Sequence, residues 1–122
     1  MPFLNMPVLA STNHPEEWVL FQPLKYVTES GMKLIVPDGF VTDLASIPRI
    51  LYSVIPVNGL HRSAAILHDY LYESQTYGRR KCDDLFLEAM KSSGVRYTQR
   101  MAMYIGVRIG GWVPWNKRKA SK

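Results

Sequence analysis

The chain has 122 residues, which is enough for one domain with an ordinary hydrophobic core and no stabilising disulfides. The hydrophobic fraction of 47% and the aromatic content of 11% exclude a disordered chain. The single cysteine, Cys82, excludes an internal disulfide framework and a cysteine-cluster metal site. The sequence has no charged start followed by an apolar run, and no stretch approaches the roughly 18 apolar residues that cross a bilayer. We therefore expect no signal peptide, no transmembrane segment and synthesis in a reducing cytoplasm.

The formal net charge of +5 is concentrated in two basic runs. One run extends from Arg79 to Lys81, and the other occupies the end of the chain from Lys117 to Lys122. Such runs attract phosphate on nucleic acid or on an anionic membrane. Neither run is interleaved with aromatic residues, as grooves that bind nucleic acid are. We therefore interpret both runs as solvated and expect no nucleic-acid partner.

The first part of the chain predicts a small antiparallel sheet. Residues 1–16 contain three prolines and indicate an extended N-terminal arm. Residues 18–22 and 24–28 have the composition of strands, and Pro23 between them indicates an edge position or a bulge. A Glu-Ser-Gly turn then leads into a return strand over residues 32–36, which predicts a hairpin.

Four polar residues stand in the otherwise apolar segment that follows the hairpin: Thr42, Asp43, Ser46 and Arg49. Asp43 or Ser46 would cap a short helix that opens at Pro48. Alternatively, the four residues belong to a functional site. The sequence leaves both interpretations open.

The second half of the chain predicts three helices, over residues 63–72, 80–93 and 97–109. The first of these is apolar nearly all round, which is typical of a buried helix. We therefore expect a single α+β domain over residues 17–112, in which a small antiparallel β-sheet or hairpin is followed by three packed α-helices. A basic C-terminal tail over residues 113–122 would complete the chain.

Three polar side chains fall on predicted apolar surfaces: His68 and Asp69 in the first helix, and Asp83 in the second. A buried carboxylate without a partner costs several kcal/mol, so Asp69 has to meet a cation, a metal or several donors. The short connection makes the two helices antiparallel neighbours, which predicts that Asp83 contacts His68. Arg108 in the third helix is a candidate counter-charge for a buried aspartate.

These residue types allow three interpretations. An imidazole flanked by carboxylates from two helices is the minimum for a general base with an orienting acid. Asp69 and Asp83, with His61 or His68, would also provide ligands for a divalent metal. The third interpretation is a structural network in which His68 and Asp69 bond to Tyr72, to an arginine or to the backbone.

Three segments, FVTDLASIPR, RSAAILHDYLY and DDLFLEAM, resemble an uncharacterised domain family that is common in tailed phages and prophages. The resemblance covers roughly residues 18–112 and implies a phage context without a known activity. The proline-rich arm and the basic tail would need a partner to hold them, which favours a virion or tail component in which the polar residues form a structural core. The partners would be other virion proteins or further copies of the chain, held through the arm and the tail. The location would be the virion or the cytoplasm of the infected host.

A second similarity is chemical. His68-Asp69 followed by Tyr72, and then by Asp83-x-x-Phe86 on the next helix, is similar to the paired catalytic helices of bacterial and fungal secreted phospholipases A2. The resemblance implies that His68 activates water and that Asp69 binds calcium. It also implies that Tyr72 and Asp83 orient the histidine.

The chain departs from the phospholipase pattern at two places. Ala65 stands where the phospholipases have a cysteine, and only Asn58-Gly59 corresponds to their glycine-rich calcium loop. A metal at Asp69 would then need Asp43 or His61 as a further ligand. The alternative to the virion component is therefore a small phage hydrolase, assisted by calcium or zinc, that acts on an ester or amide of the cell envelope.

Overall fold

The computed structural model describes residues 3–5, 7, 9–11, 18–42 and 62–120. Within these residues the chain forms five short strands followed by four helices, which confirms the α+β class. The strands are β1 (Leu9–Ser11), β2 (Trp18–Leu20), β3 (Leu24–Val27), β4 (Lys33–Val36) and β5 (Val41–Thr42). The helices are α1 (Arg62–Ser74), α2 (Arg79–Ser92), α3 (Tyr97–Gly110) and α4 (Trp112–Ala120). None of the described helices is long and apolar enough to cross a membrane.

The strands form two small antiparallel sheets, one in the order β1-β2-β5 and one made of β3 and β4. The β3–β4 pair is the predicted hairpin, with Leu24 opposite Val36 and Val27 opposite Lys33. Its turn contains Gly31 at a φ of 88°, a left-handed conformation that a β-carbon disfavours. Buried and less buried residues alternate along both strands, so one face of the hairpin packs against the core.

The described part of the N-terminal arm is paired with its own domain. β1 runs antiparallel to β2, with Leu9 opposite Leu20. The Asn5 side chain donates to the Pro23 carbonyl at 2.8 Å and accepts from the Lys25 amide at 3.0 Å. These residues therefore obtain hydrogen bonds from the chain itself, whereas we expected them to depend on a neighbouring chain.

Helix α1 is buried on nearly all sides, as its sequence predicts. Its residues from Ala64 to Asp69 are buried, together with Leu71 and Tyr72. Helix α2 packs against α1 on one side and against α3 on the other. Because α2 lies between two helices, a polar side chain on its inner face meets groups from both.

The segment predicted as a basic tail is different in the structure, because most of residues 113–122 belong to a fourth helix, α4. The Trp115 ring packs edge-to-face on Tyr72 with a centroid distance of 5.2 Å. The Trp115 carbonyl accepts a hydrogen bond from the Gln75 side chain at 2.9 Å. The composition of the basic run suggested a solvated chain, but Trp115 and Arg118 are three residues apart and face the same neighbour, α1.

Candidate functional site

The carboxylate of Asp83 is the centre of the candidate site, and it is fully buried. Its Oδ1 lies 2.7 Å from Nε2 of His68 and accepts a hydrogen bond of 2.7 Å from the Tyr72 hydroxyl. Its Oδ2 accepts from Nη1 of Arg108 at 2.9 Å, and Nη1 of Arg79 lies 3.6 Å from the same oxygen. The predicted contact between Asp83 and His68 is confirmed, and so is the predicted counter-charge.

Helix geometry explains why these side chains meet. His68 and Tyr72 are four residues apart on α1 and therefore lie on the same face, one turn after the other. Asp83 lies in the second turn of α2 on the face that packs against α1. One carboxylate oxygen can therefore reach both side chains of α1, while the other oxygen faces α3.

Arg79 fixes this arrangement from the start of α2. It is four residues before Asp83, so the two side chains lie on the same face of the helix. Its guanidinium also donates to the carbonyls of Val107 and Arg108 at 3.0 Å each, at the end of α3. Arg79 belongs to a basic run that composition predicts to be solvated. Its spacing from Asp83 was the signal that could have identified it.

The imidazole of His68 is a neutral base in this environment. Burial lowers the pKa of His68, and the hydrogen bond to Asp83 opposes that effect. A carboxylate only accepts hydrogen bonds, so the Nε2 atom that faces Asp83 carries the ring proton. The ring also packs against Tyr72 and Phe86, with centroid distances of 4.3 and 4.6 Å. The site thus holds a neutral, oriented imidazole whose basic atom is Nδ1.

Two other titratable groups near Asp83 are held in their protonated forms. Burial and the hydrogen bond to Asp83 raise the pKa of Tyr72, which makes its hydroxyl a stable donor. Burial raises the pKa of the Cys82 thiol to about 12, and the thiol lies 3.6 Å from the Leu71 carbonyl. A thiol with such a pKa is a poor nucleophile at neutral pH, so Cys82 has a packing role.

A second buried carboxylate, Asp69, lies beside His68 and is 1% exposed. The Thr42 hydroxyl donates to its Oδ2 at 2.6 Å, and Nη2 of Arg118 donates to its Oδ1 at 2.8 Å. Arg118 also pairs through Nε with Glu73 at 3.1 Å. Asp69 therefore meets both a cation and a further donor, as its burial required. Thr42 was among the polar residues noted in the sequence, whereas Arg118 was not identified.

The structure describes only part of the metal site that the sequence suggested. Two of its three predicted ligands, His61 and Asp43, lie outside the described residues. Among the residues that the structure describes, no three His, Cys, Asp or Glu side chains are placed to hold a metal ion. Calcium takes about six to eight oxygen ligands, while each Asp69 oxygen already accepts a hydrogen bond, from Thr42 or Arg118. The described residues do not by themselves form a calcium site, and metal binding stays a prediction.

The comparison with known families concerns the same helices. A family described as protein of unknown function (DUF1353) matches residues 18–107 of the chain. The chain belongs to the DUF1353 family. The matched range contains His68, Asp69 and Asp83, and it ends just before Arg108. The prediction of a domain of unknown function is therefore confirmed.

This DUF1353 protein is also similar to the uncharacterized protein y4jT of Sinorhizobium fredii (strain NBRC 101917 / NGR234), with 33% identity over 84 residues. The alignment covers 67% of this chain and 25% of the relative, so the chain spans about a quarter of the relative's length. No solved structure matches the chain with significance.

Proposed function

We propose that this DUF1353 protein is a small hydrolase in which His68 is the general base. The observation that carries the proposal is the 2.7 Å contact between Nε2 of His68 and Oδ1 of Asp83. The same Oδ1 atom also accepts a hydrogen bond from the Tyr72 hydroxyl. An imidazole held in this way has a fixed tautomer and a fixed ring plane, which a general base requires. The phospholipases A2 that the two helices resemble imply the same roles for these three residues.

The reaction that this arrangement supports is the hydrolysis of an ester. Nδ1 of His68 takes a proton from water while the water oxygen attacks the ester carbonyl carbon. The negative charge of Asp83 stabilises the imidazolium that forms, because Nε2–H already points at Oδ1. The proton then passes to the departing alkoxide, and the products are a carboxylic acid and an alcohol. General-base catalysis of this kind contributes roughly 10²–10⁴-fold to the rate.

Access to the base is part of the proposal, since the His68 side chain is fully buried in this structure. Water and substrate reach Nδ1 only when the site opens. Helix α4 covers Tyr72 through Trp115 and covers Asp69 through Arg118. We therefore expect this helix to open for substrate to enter and to close again before the chemical step, which returns Arg118 to Asp69, as lids do in other enzymes.

The test is hydrolysis by the full-length protein of two substrates, a soluble p-nitrophenyl ester and a phospholipid vesicle that carries a fluorogenic acyl chain. His68→Gln keeps an amide donor for Asp83 but has no basic nitrogen, so it should lower the rate by about 10² or more. The matched control is Asp84→Asn, which changes the neighbouring exposed carboxylate and should leave the rate unchanged. Equal rates for the wild type and His68→Gln would contradict the proposal, as would a wild type inactive on both esters.

The second candidate is a component of a phage virion or tail, in which the same polar residues stabilise the core. The observation that favours it is a group of apolar side chains around the junction of α3 and α4, each more than half exposed: Ile105, Ile109, Trp112 and Val113. Exposed groups of this kind mark interaction surfaces. The partners would be virion proteins or further copies of the chain, in the virion or in the host cytoplasm.

Self-association through this surface is measurable by sedimentation velocity of the isolated protein. Ile109→Lys should shift the association to higher protein concentration, because it places a charge in the apolar surface. The matched control is Lys91→Gln on the exposed side of α2. A protein that remains monomeric at all concentrations would contradict self-assembly.

A further inference from the structure

We propose that Arg118 is the resident cation of Asp69, so that helix α4 is part of the candidate site. The inference rests on the proposed function, because it names the group that supplies positive charge at the aspartate next to the base. In the phospholipases that the two helices resemble, calcium has that role. Here the described residues do not by themselves form a calcium site, and a guanidinium contacts the aspartate instead.

The geometry of the pair is that of a specific, desolvated contact. Nη2 of Arg118 lies 2.8 Å from Oδ1 of Asp69, and Nε lies 3.1 Å from Oε2 of Glu73. The two carboxylates are one turn apart on α1, so they approach one guanidinium side by side. The Asp69 side chain is 2% exposed and the Arg118 side chain is 15% exposed. Charge-assisted hydrogen bonds between groups so removed from water are strong and directional.

Arg118 is positioned by a folded helix and not by a loose chain end. Trp115, one turn earlier, packs against Tyr72, and its carbonyl accepts from Gln75. At the start of the helix, a β-carbon on Gly111 would clash with the Val107 carbonyl oxygen of α3, and it would lie 2.5 Å from the Tyr72 hydroxyl and 3.0 Å from Nη1 of Arg79. Only glycine therefore fits at this junction of α3 and α4 next to the site. Contacts that do not involve the ion pair thus determine which side of α4 faces Asp69.

The cation contacts one oxygen of Asp69, while a hydroxyl contacts the other. Its Oδ2 accepts from the Thr42 hydroxyl at 2.6 Å, and its Oδ1 accepts from Arg118. Removal of the guanidinium would leave a buried negative charge beside His68. Neutralising Asp69 together with Arg118 would leave the charge of Glu73, whose side chain is 53% exposed to water, so the two substitutions should be strongly non-additive.

The test is a double-mutant cycle on the full chain, read as melting temperature. Arg118→Met should lower the melting temperature by about 10 °C, because it leaves Asp69 charged and buried. Asp69→Asn combined with Arg118→Met should lose clearly less than the sum of the two single losses. Lys119→Met changes an exposed charge one residue away and should stay within about 2 °C of the wild type. Additive losses in the cycle would overturn the inference.

A measurement on the unaltered protein guards against variants that do not fold. The wild type should melt at the same temperature in millimolar calcium, in zinc and in EDTA, because the site already holds its positive charge. A rise of several degrees with either metal would overturn the inference, since a ligand that binds the native state stabilises it. Arg118→Lys, which keeps a charge, should retain more stability than Arg118→Met. None of these results depends on ester hydrolysis, so the proposed function and the inference can fail separately.

Discussion

Replacing Asp83 with Asn tests whether its charge holds three helices together. The substitution keeps the size of the side chain but exchanges a carboxylate for a neutral amide with one donor end. In the native protein one oxygen of Asp83 faces His68 and Tyr72, and the other faces Arg108 and Arg79. An amide has one oxygen that accepts hydrogen bonds and one NH₂ group that only donates them. In the variant, that NH₂ group would face either the donors of α1 or the two arginines, and it could accept a hydrogen bond from neither.

The magnitude follows from burial. Breaking a buried ion pair by removing one charge costs about 3–5 kcal/mol of stability. Asp83 is fully buried, but the side chains of Arg108 and Arg79 are 32% and 21% exposed, so water recovers part of the loss. We therefore expect the free energy of unfolding to fall by about 3 kcal/mol. For a domain of this size the melting temperature should fall by roughly 10 °C.

Thermal and urea unfolding at pH 7, followed by circular dichroism, measure both quantities. Asp84→Asn is the matched control, because Asp84 is the next residue of α2 and its side chain is 48% exposed. Its effect should stay within about 0.5 kcal/mol. An Asp83→Asn protein within about 1 kcal/mol of the wild type would refute the argument that a buried charge cluster stabilises the packing of α1, α2 and α3.

Two further predictions follow from the site. Burial lowers the pKa of His68 in the native state. Near pH 6.5 the imidazole of the unfolded chain therefore becomes protonated, while that of the native protein stays neutral. As the pH is lowered through about 6.5, the free energy of unfolding should fall by up to about 1.4 kcal/mol per pH unit, and urea titrations should show a shallower fall for His68→Gln; parallel slopes would contradict this. Gly111→Ala should lower the melting temperature by several degrees, because its β-carbon would clash with the Val107 carbonyl oxygen and would lie 2.5 Å from the Tyr72 hydroxyl. Gly78→Ala, with nothing within 4 Å of its β-carbon, is the control, and an equal effect of both substitutions would refute the steric argument.

The sequence was sufficient to predict the core of the site. The apolar patterns of α1 and α2 predict their packing, and each helix has a polar exception on its inner face. Buried polar groups need partners, so the amino-acid pattern alone matches His68 with Asp83 across the two helices. The same reasoning identified Arg108, since a buried carboxylate needs a positive charge.

The two remaining arginines could not be found in this way. Arg79 and Arg118 stand in runs of basic residues, where composition predicts a solvated surface. An arginine of such a run becomes buried only if it pairs with a carboxylate. The carboxylates of Asp83 and Asp69 lie close to these arginines only after the helices have packed. The local signals were spacings, four residues from Arg79 to Asp83 and three from Trp115 to Arg118, and these indicate a shared face without showing what that face contacts.

The position of Arg118 determines where the chain can be shortened without loss of the site. The range that matches the DUF1353 family stops at residue 107. A shortened protein that ended there would lack both Arg108 and Arg118, leaving the Asp69 charge without its guanidinium. A protein that is cut or fused after α4 keeps the ion pair between Arg118 and Asp69, whereas a protein cut after α3 loses it. In longer relatives, an arginine 49 residues after the aspartate of the His-Asp pair is the feature to look for when the domain boundary is drawn.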